Sequence, residues 1–163
     1  YFQFYKEMKL RKWNLNYFGY DIDKKFINLG LTKFPELNKK YKIGNCEKIK
    51  LNKTDCSVIS ATLEHATQPK KLLDNILNST KKIVIVRTYL GKKSHKLISK
   101  PNLRQIRPYN VNQFSFNEIE DQLKKYKFNT IFILDKATNN SEKFKLFNNK
   151  FKRFIYIVLG IRK

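Results

Sequence analysis

Two acidic side chains near the start of the sequence occupy a position where they could bind a ligand. Asp21 and Asp23 follow an aromatic, strand-like run at residues 17–20, and an amphipathic segment begins at residue 24. Ligands of an open α/β sheet bind beyond the carboxyl ends of its strands, so an acid placed there can accept hydrogen bonds from the two hydroxyls of a ribose. The same acids could instead cap the helix that follows. The residues alone leave both interpretations open.

A second candidate for chemistry is the histidine at position 65, which follows Glu64 and a strand-like run at residues 56–60. An imidazole titrates near neutral pH, so His65 could act as a general base toward a hydroxyl group. It could equally make a structural hydrogen bond at the start of a helix. His95 lies in a basic segment and is interpreted as a solvated side chain.

Composition limits the class of protein. The chain has 163 residues, of which 41% are hydrophobic and 14% aromatic, so it can bury a core and is predicted to form a single domain over residues 1–163. No apolar run approaches the roughly 18 residues that a membrane span needs. Cys46 and Cys56 show no metal-ligand spacing, which predicts no metal site, reduced thiols and a cytoplasmic location.

The formal net charge of +22 raises the question of nucleic-acid binding. Lysine far outnumbers arginine, and the lysines are spread along the whole chain instead of forming one cluster. This pattern favours solvated lysine faces over a dedicated nucleic-acid surface. The excess charge still predicts weak, salt-sensitive binding to polyanions. No specific protein partner is predicted.

The order of elements predicts an α/β sheet in which most strands are parallel. Residues 83–86 form a continuous β-branched run that is typical of a parallel strand covered on both faces. Ser115, with Glu118 three residues later, predicts a helix start. Strands at 129–134 and 153–159 have no long helix between them, which predicts an antiparallel hairpin. The remaining predicted elements are helices over 2–12, 24–33 and from Pro69, and strands at 17–21, near 42–47 and at 56–60.

Residues 91–113 form a long, polar and basic stretch that is predicted to be a loop. A loop of this length in a compact domain is usually a lid or substrate segment, or is disordered. Arg104, Arg107 and Tyr109 in this stretch are candidates for gripping an anionic or sugar substrate.

Three motifs together resemble the class I S-adenosylmethionine-dependent methyltransferases, of the kind grouped as methyltransferase types 11 and 12. They are Gly19-Tyr20-Asp21-Ile22-Asp23, Gly44-Asn45-Cys46-Glu47, and the segment 57–69 with its Leu63-Glu64-His65 tail and a proline opening the next helix. The resemblance covers nearly the whole chain. It implies a Rossmann-like sheet of parallel strands that ends in an antiparallel hairpin.

The resemblance implies S-adenosylmethionine as cofactor and assigns residues to it. Asp21 would contact the ribose, which leaves capping to Asp23, and Ile22 would be a further cofactor contact. Asn45 and Cys46 would lie beside the adenine, with Asn45 in place of the usual aspartate. Ser60 and Ala61 would complete the cofactor contacts. Relatives that bind a metal carry a glutamate at the position of Ala61, so no metal is expected.

The family's first strand and glycine-rich loop have no counterpart in the sequence, so the fold is expected to be N-terminally incomplete and the chain to bind cofactor poorly or to be inactive. The predicted function is methyl transfer to a small-molecule acceptor that is sugar-, lipid- or quinone-like. One alternative is an RNA methyltransferase that uses the positive charge. Ser60-Ala61-Thr62-Leu63 stands where base-methylating enzymes carry an Asn/Asp-Pro-Pro-Tyr type motif, which counts against it. The other alternative is a degenerate, non-catalytic domain.

Overall fold

The structure is a computed structural model that describes residues 2–99, 108–141 and 153–162. The chain divides into two compact units, Tyr1–Lys50 and Leu51–Lys163. Within the described residues, no helix is both long and apolar enough to cross a membrane.

The first unit is built around a parallel pair of short strands. Helix α1 (Gln3–Leu10), strand β1 (Gly19–Asp21), helix α2 (Lys24–Leu31), a 3₁₀ helix (Pro35–Lys40) and strand β2 (Tyr41–Ile43) follow one another. Gly19 of β1 pairs with Tyr41 of β2. A Cβ atom on Gly19 would overlap the Tyr41 ring, so a residue without a side chain is needed for this approach. Both predicted helices are present but shorter than expected.

The second unit contains the main sheet. The elements of this unit in chain order are β3 (Thr54–Ser60), a 3₁₀ turn (Leu63–His65), α3 (Pro69–Ser79), β4 (Thr80–Gly91), β5 (Ile98–Ser99), β6 (Tyr109–Asn110), β7 (Phe114–Ser115), α4 (Phe116–Lys125), β8 (Phe128–Leu134), α5 (Lys136–Asn139) and β9 (Phe154–Arg162). The strands of the main sheet lie in the order β3-β4-β9-β8, and β7 pairs with the end of β4. Strands β3 and β4 are parallel, whereas β9 is antiparallel to both β4 and β8.

One face of this sheet is closely packed. Val84, Val86 and Val158 point to that face and are fully buried. A Cβ atom on Gly160 would lie 2.6 Å from Val84 Cγ1 and 2.8 Å from Leu123 Cδ2, so the glycine lets α4 approach the sheet. The helix side of this core consists of Leu73, Leu77, Ile119 and Leu123, each at most 1% exposed.

The opposite face of the sheet is partly open. Of the aliphatic residues that strand register places on it, five are between 37% and 51% exposed. We call this set the exposed aliphatic face; it consists of Val58, Ile83, Ile131, Ile133 and Ile161. The prediction that residues 83–86 are covered on both faces is therefore wrong for one face. A run of β-branched residues does not distinguish one covered face from two, because every position in it is apolar.

Two other predictions about this unit have clear outcomes. The antiparallel C-terminal hairpin is confirmed, with Asn129 opposite Ile161. The helix start at Ser115 is also confirmed, since its Oγ accepts a hydrogen bond from the Glu118 amide at 3.1 Å.

The predicted loop over 91–113 contains a short antiparallel ladder in its described parts, which the sequence interpretation did not include. The backbones of His95 and Gln113 form a bridge, and Ile98 and Ser99 pair with Asn110 and Tyr109. Backbone groups of this stretch are thus paired as an antiparallel ladder, which composition alone does not reveal.

Candidate functional site

The first group of predicted site residues lies at the carboxyl end of the β1–β2 pair. Because the strands are parallel, Asp21 at the end of β1 and the loop after β2 emerge at the same edge. The Gly44 amide donates a hydrogen bond to the Asp21 backbone oxygen at 2.9 Å. The structure therefore brings Asp21, Asn45 and Cys46 together, as the two motifs predict.

Local hydrogen bonds fix the polar side chains of this group. Asp21 Oδ1 accepts from the Asp23 amide at 2.9 Å, and Asn45 Oδ1 accepts from the Glu47 amide at 2.8 Å. A carboxylate and an amide oxygen each have further lone pairs, so both side chains keep acceptor capacity for a ligand. Asp23 caps α2 by accepting from the Lys25 amide at 2.7 Å, which confirms the predicted cap. Ile22, which lies between Asp21 and Asp23 in the sequence, is 68% exposed.

Cys46 supplies an apolar surface beside the carboxylate. Burial raises the pKa of its thiol, and the charge of Asp21 raises it further. The thiol therefore stays neutral at physiological pH and behaves as a small hydrophobic group. Such a surface next to a carboxylate suits a ligand that has both an apolar ring and hydroxyl groups.

The second group begins where β3 ends. Ser60 closes the strand, and the Ala61 amide donates to the Arg87 backbone oxygen at 3.1 Å. Ala61 has a φ of 51°, in the left-handed region that a residue with a Cβ atom rarely occupies. This backbone reversal directs the chain into the turn that carries Glu64 and His65.

We expect Ala61→Gly to raise the free energy of unfolding by about 0.5–1 kcal/mol, because glycine adopts a positive φ without steric cost. Urea denaturation of the two proteins measures the difference. A clear loss of stability in the variant would show that the conformation at this position carries no strain.

Glu64 is a buried carboxyl group that anchors the turn. Its side chain is 3% exposed, and its Oε2 accepts a hydrogen bond from Thr88 Oγ1 at 3.0 Å. The Asn112 amide donates to its backbone oxygen at 2.8 Å. Burial raises the pKa of Glu64, although hydrogen bonds and the nearby charges of His65 and Arg87 partly oppose this effect.

The raised pKa of Glu64 predicts a pH-dependent stability. The folded protein holds this proton more tightly than the unfolded chain, so stability falls as the pH rises from the ordinary value of 4.5 toward the raised pKa. Glu64→Gln keeps an acceptor for Thr88 and removes the titration. Urea unfolding across this pH range should show a decline in the wild type that is smaller in the variant. An equal decline in the free energy of unfolding with pH in the wild type and in Glu64→Gln would contradict the prediction.

His65 is exposed, and a backbone carbonyl fixes its orientation. Its Nδ1 lies 2.8 Å from the Asn110 backbone oxygen, which can only accept, so Nδ1 carries the proton. The neutral ring then has its free lone pair on Nε2. The ring centroid of Tyr109 lies 5.2 Å from that of His65, which places two predicted residues together. Arg104 and Arg107, the other predicted substrate residues, lie outside the described residues.

The sequence interpretation missed two further residues near this turn, Arg153 and Tyr89. Arg153 is 5% exposed, and its guanidinium lies 5.7 Å from the ring centroid of Tyr89. Its Nη1 donates a long hydrogen bond, 3.5 Å, to the Val111 backbone oxygen. Burial lowers the pKa of Arg153, and the neighbouring phenols Tyr89 and Tyr109 act in the opposite direction. Nothing in the sequence distinguishes Arg153 from the many other basic residues around it.

A cavity of about 610 Å³ lies beside Arg153. Its wall includes the end of β4 at Leu90 and Gly91 and the start of β9 at Phe154. Across the described ranges, no three His, Cys, Asp or Glu side chains are grouped in a way that could hold a metal ion.

Comparison with known proteins identifies the fold. No protein-family model matches the sequence, and no curated protein matches it either. Solved structures do match. Magnesium protoporphyrin IX methyltransferase from Synechocystis PCC 6803, solved with bound S-adenosylmethionine, is 13% identical with a TM-score of 0.59, and the match covers 90% of this chain and 59% of that one.

Two further structures are similar over more of this chain. The N-terminal domain of EvdMO1, solved with S-adenosylhomocysteine, is 11% identical with a TM-score of 0.67, covering 96% of this chain and 69% of that one. The cyclase SpnF is 10% identical with a TM-score of 0.63, covering 96% and 70%. The chain therefore has the fold of the class I S-adenosylmethionine-dependent methyltransferases, and it spans less than two thirds of the Synechocystis enzyme.

Proposed function

We propose that this protein uses S-adenosylmethionine to methylate a small-molecule acceptor. The observation that carries the proposal is the group formed by Asp21, Asn45 and Cys46 at the end of a parallel strand pair, in a chain with this fold. Structural neighbours that contain S-adenosylmethionine or S-adenosylhomocysteine support the choice of cofactor. SpnF, a cyclase, has the same fold, so the fold alone does not define the reaction.

The residues of the first group fit the nucleoside part of this cofactor. The Asp21 carboxylate offers acceptors for two ribose hydroxyls, and the neutral thiol of Cys46 offers an apolar contact for the adenine ring. Asn45 Oδ1 is an acceptor for the adenine amino group. Ile22, Ser60 and Ala61 remain predicted contacts. When bound, the cofactor supplies an electrophilic methyl group on a sulfonium.

His65 is the residue proposed to accept the proton of the methyl acceptor. A hydroxyl or amine that attacks a methyl group must lose its proton, and Nε2 of the neutral imidazole can take it. The hydrogen bond from Nδ1 to the Asn110 carbonyl holds the ring in the tautomer that this task needs. The buried Glu64–Thr88 contact positions the turn.

Calorimetric titration of the 163-residue chain with S-adenosylhomocysteine tests the proposal. This ligand has no net charge, so the +22 charge of the chain does not attract it electrostatically. We expect weak but saturable binding that stays similar between about 0.05 and 0.3 M salt, because the contacts are local. No binding would overturn the proposal and favour the non-catalytic alternative.

The same salt range addresses the RNA alternative. A short RNA is expected to bind at low salt and to dissociate at about 0.3 M salt, as nonspecific binding to a basic protein does. RNA binding that persists at the higher salt, together with methylation of that RNA, would favour the RNA methyltransferase.

A further inference from the structure

The cavity beside Arg153 has the size and the wall of a small-molecule site. Its volume of about 610 Å³ falls within the roughly 300–1,000 Å³ that is usual for such sites. Half of its ten described lining residues have large apolar or aromatic side chains. These residues are Leu90, Leu97, Phe116, Phe154 and Tyr156.

The wall of the cavity carries basic side chains and no acidic ones among the described residues. Arg153, Lys92 and His95 line the cavity, and none of the described lining residues is acidic. Arg153 is the buried member, at 5% exposed, whereas Lys92 and His95 are exposed. Attraction between unlike charges strengthens where water is excluded, so an anion next to Arg153 gains more than one at a surface lysine.

The guanidinium is also held in place. The Tyr89 ring lies under it at 5.7 Å, and the Val111 carbonyl accepts from Nη1 at 3.5 Å. A guanidinium presents a planar fork of N–H donors that matches the two oxygens of a carboxylate. Because its position is fixed, less side-chain entropy is lost on binding.

The cavity lies near the proposed proton acceptor. Tyr109 influences Arg153 electrostatically, and its ring is 5.2 Å from the ring of His65. We propose that the methyl acceptor is an apolar organic acid that carries a hydroxyl or amine besides its carboxylate, and that the carboxylate binds Arg153 in this cavity. Only the role of the bound acid as methyl acceptor rests on the proposed function, since the binding itself requires no methyl transfer.

Binding of 1-naphthoate, compared with 1-naphthalenemethanol, tests this inference. The two probes share a ring system and differ in the carboxylate. At about 0.3 M salt, where attraction to surface lysines is screened, naphthoate is expected to bind about tenfold more tightly. Arg153→Gln should abolish this preference. Lys81→Gln, which removes a charge from the other end of β4, should leave it unchanged.

A cavity-filling variant covers the case in which Arg153→Gln does not fold. Leu97→Trp puts a large ring into the cavity and should weaken both probes at least tenfold. Equal binding of the two probes to the wild type, a preference that persists in Arg153→Gln, or full affinity in Leu97→Trp would each overturn the inference. If the wild type binds S-adenosylhomocysteine but fails this test, only the inference is lost and the proposed function stands.

Discussion

Replacing Asp21 by alanine is expected to weaken S-adenosylhomocysteine binding by about 100-fold or more, because each hydrogen bond from a hydroxyl to a carboxylate is worth about 1.5–3 kcal/mol. Asp21→Asn should show a smaller loss, since its amide oxygen can still accept from the Asp23 amide and from one hydroxyl. Calorimetry gives the affinities.

Asp23→Ala is the matched control, two residues away. Asp23 caps α2, so its loss should lower the free energy of unfolding by about 1 kcal/mol and leave ligand affinity unchanged. Asp21→Ala should thus lower ligand affinity, whereas Asp23→Ala should lower only the free energy of unfolding. If Asp21→Ala binds as the wild type does, the assignment of Asp21 to the ribose is wrong.

His65→Asn is expected to lower kcat by about 10²–10⁴-fold, because the variant has no basic nitrogen to accept the proton. An asparagine amide can still donate to the Asn110 carbonyl, so the turn and the stability should be retained. Production of S-adenosylhomocysteine with an identified acceptor gives kcat.

The pH profile separates a base from a structural histidine. If His65 is the base, the wild-type profile of kcat should have an acidic limb that His65→Asn lacks. Retained activity in His65→Asn would mean that the hydrogen bond to Asn110 is the whole role of His65. His65→Leu, which loses donor and base together, provides the comparison for stability.

Much of this fold could be predicted because its signals are local. Ser115 and Glu118 lie three residues apart, and the cap they predict needs only backbone geometry. The hairpin follows from two strand-like runs without a helix between them. The loop at Gly44–Glu47 meets Asp21 because parallel strands end at the same edge, which the order of elements already implies.

The parts that could not be predicted depend on residues distant in sequence. Asn110 fixes His65 across 45 positions, and Thr88 contacts Glu64 across 24. Arg153 becomes significant only because β9 places it over Tyr89. In a chain with 35 lysines and arginines, composition does not single out Arg153. Local sequence pattern also does not predict the pairing of His95 with Gln113.

The exposed aliphatic face also affects how stability changes with temperature. The heat capacity of unfolding is set mainly by the apolar surface that water reaches only after unfolding. Side chains such as Ile131, which is 51% exposed in the folded state, are already hydrated and contribute less to that change. A smaller heat-capacity change flattens the curve of stability against temperature. The open face of the sheet therefore lowers the sensitivity of folding to both cooling and warming.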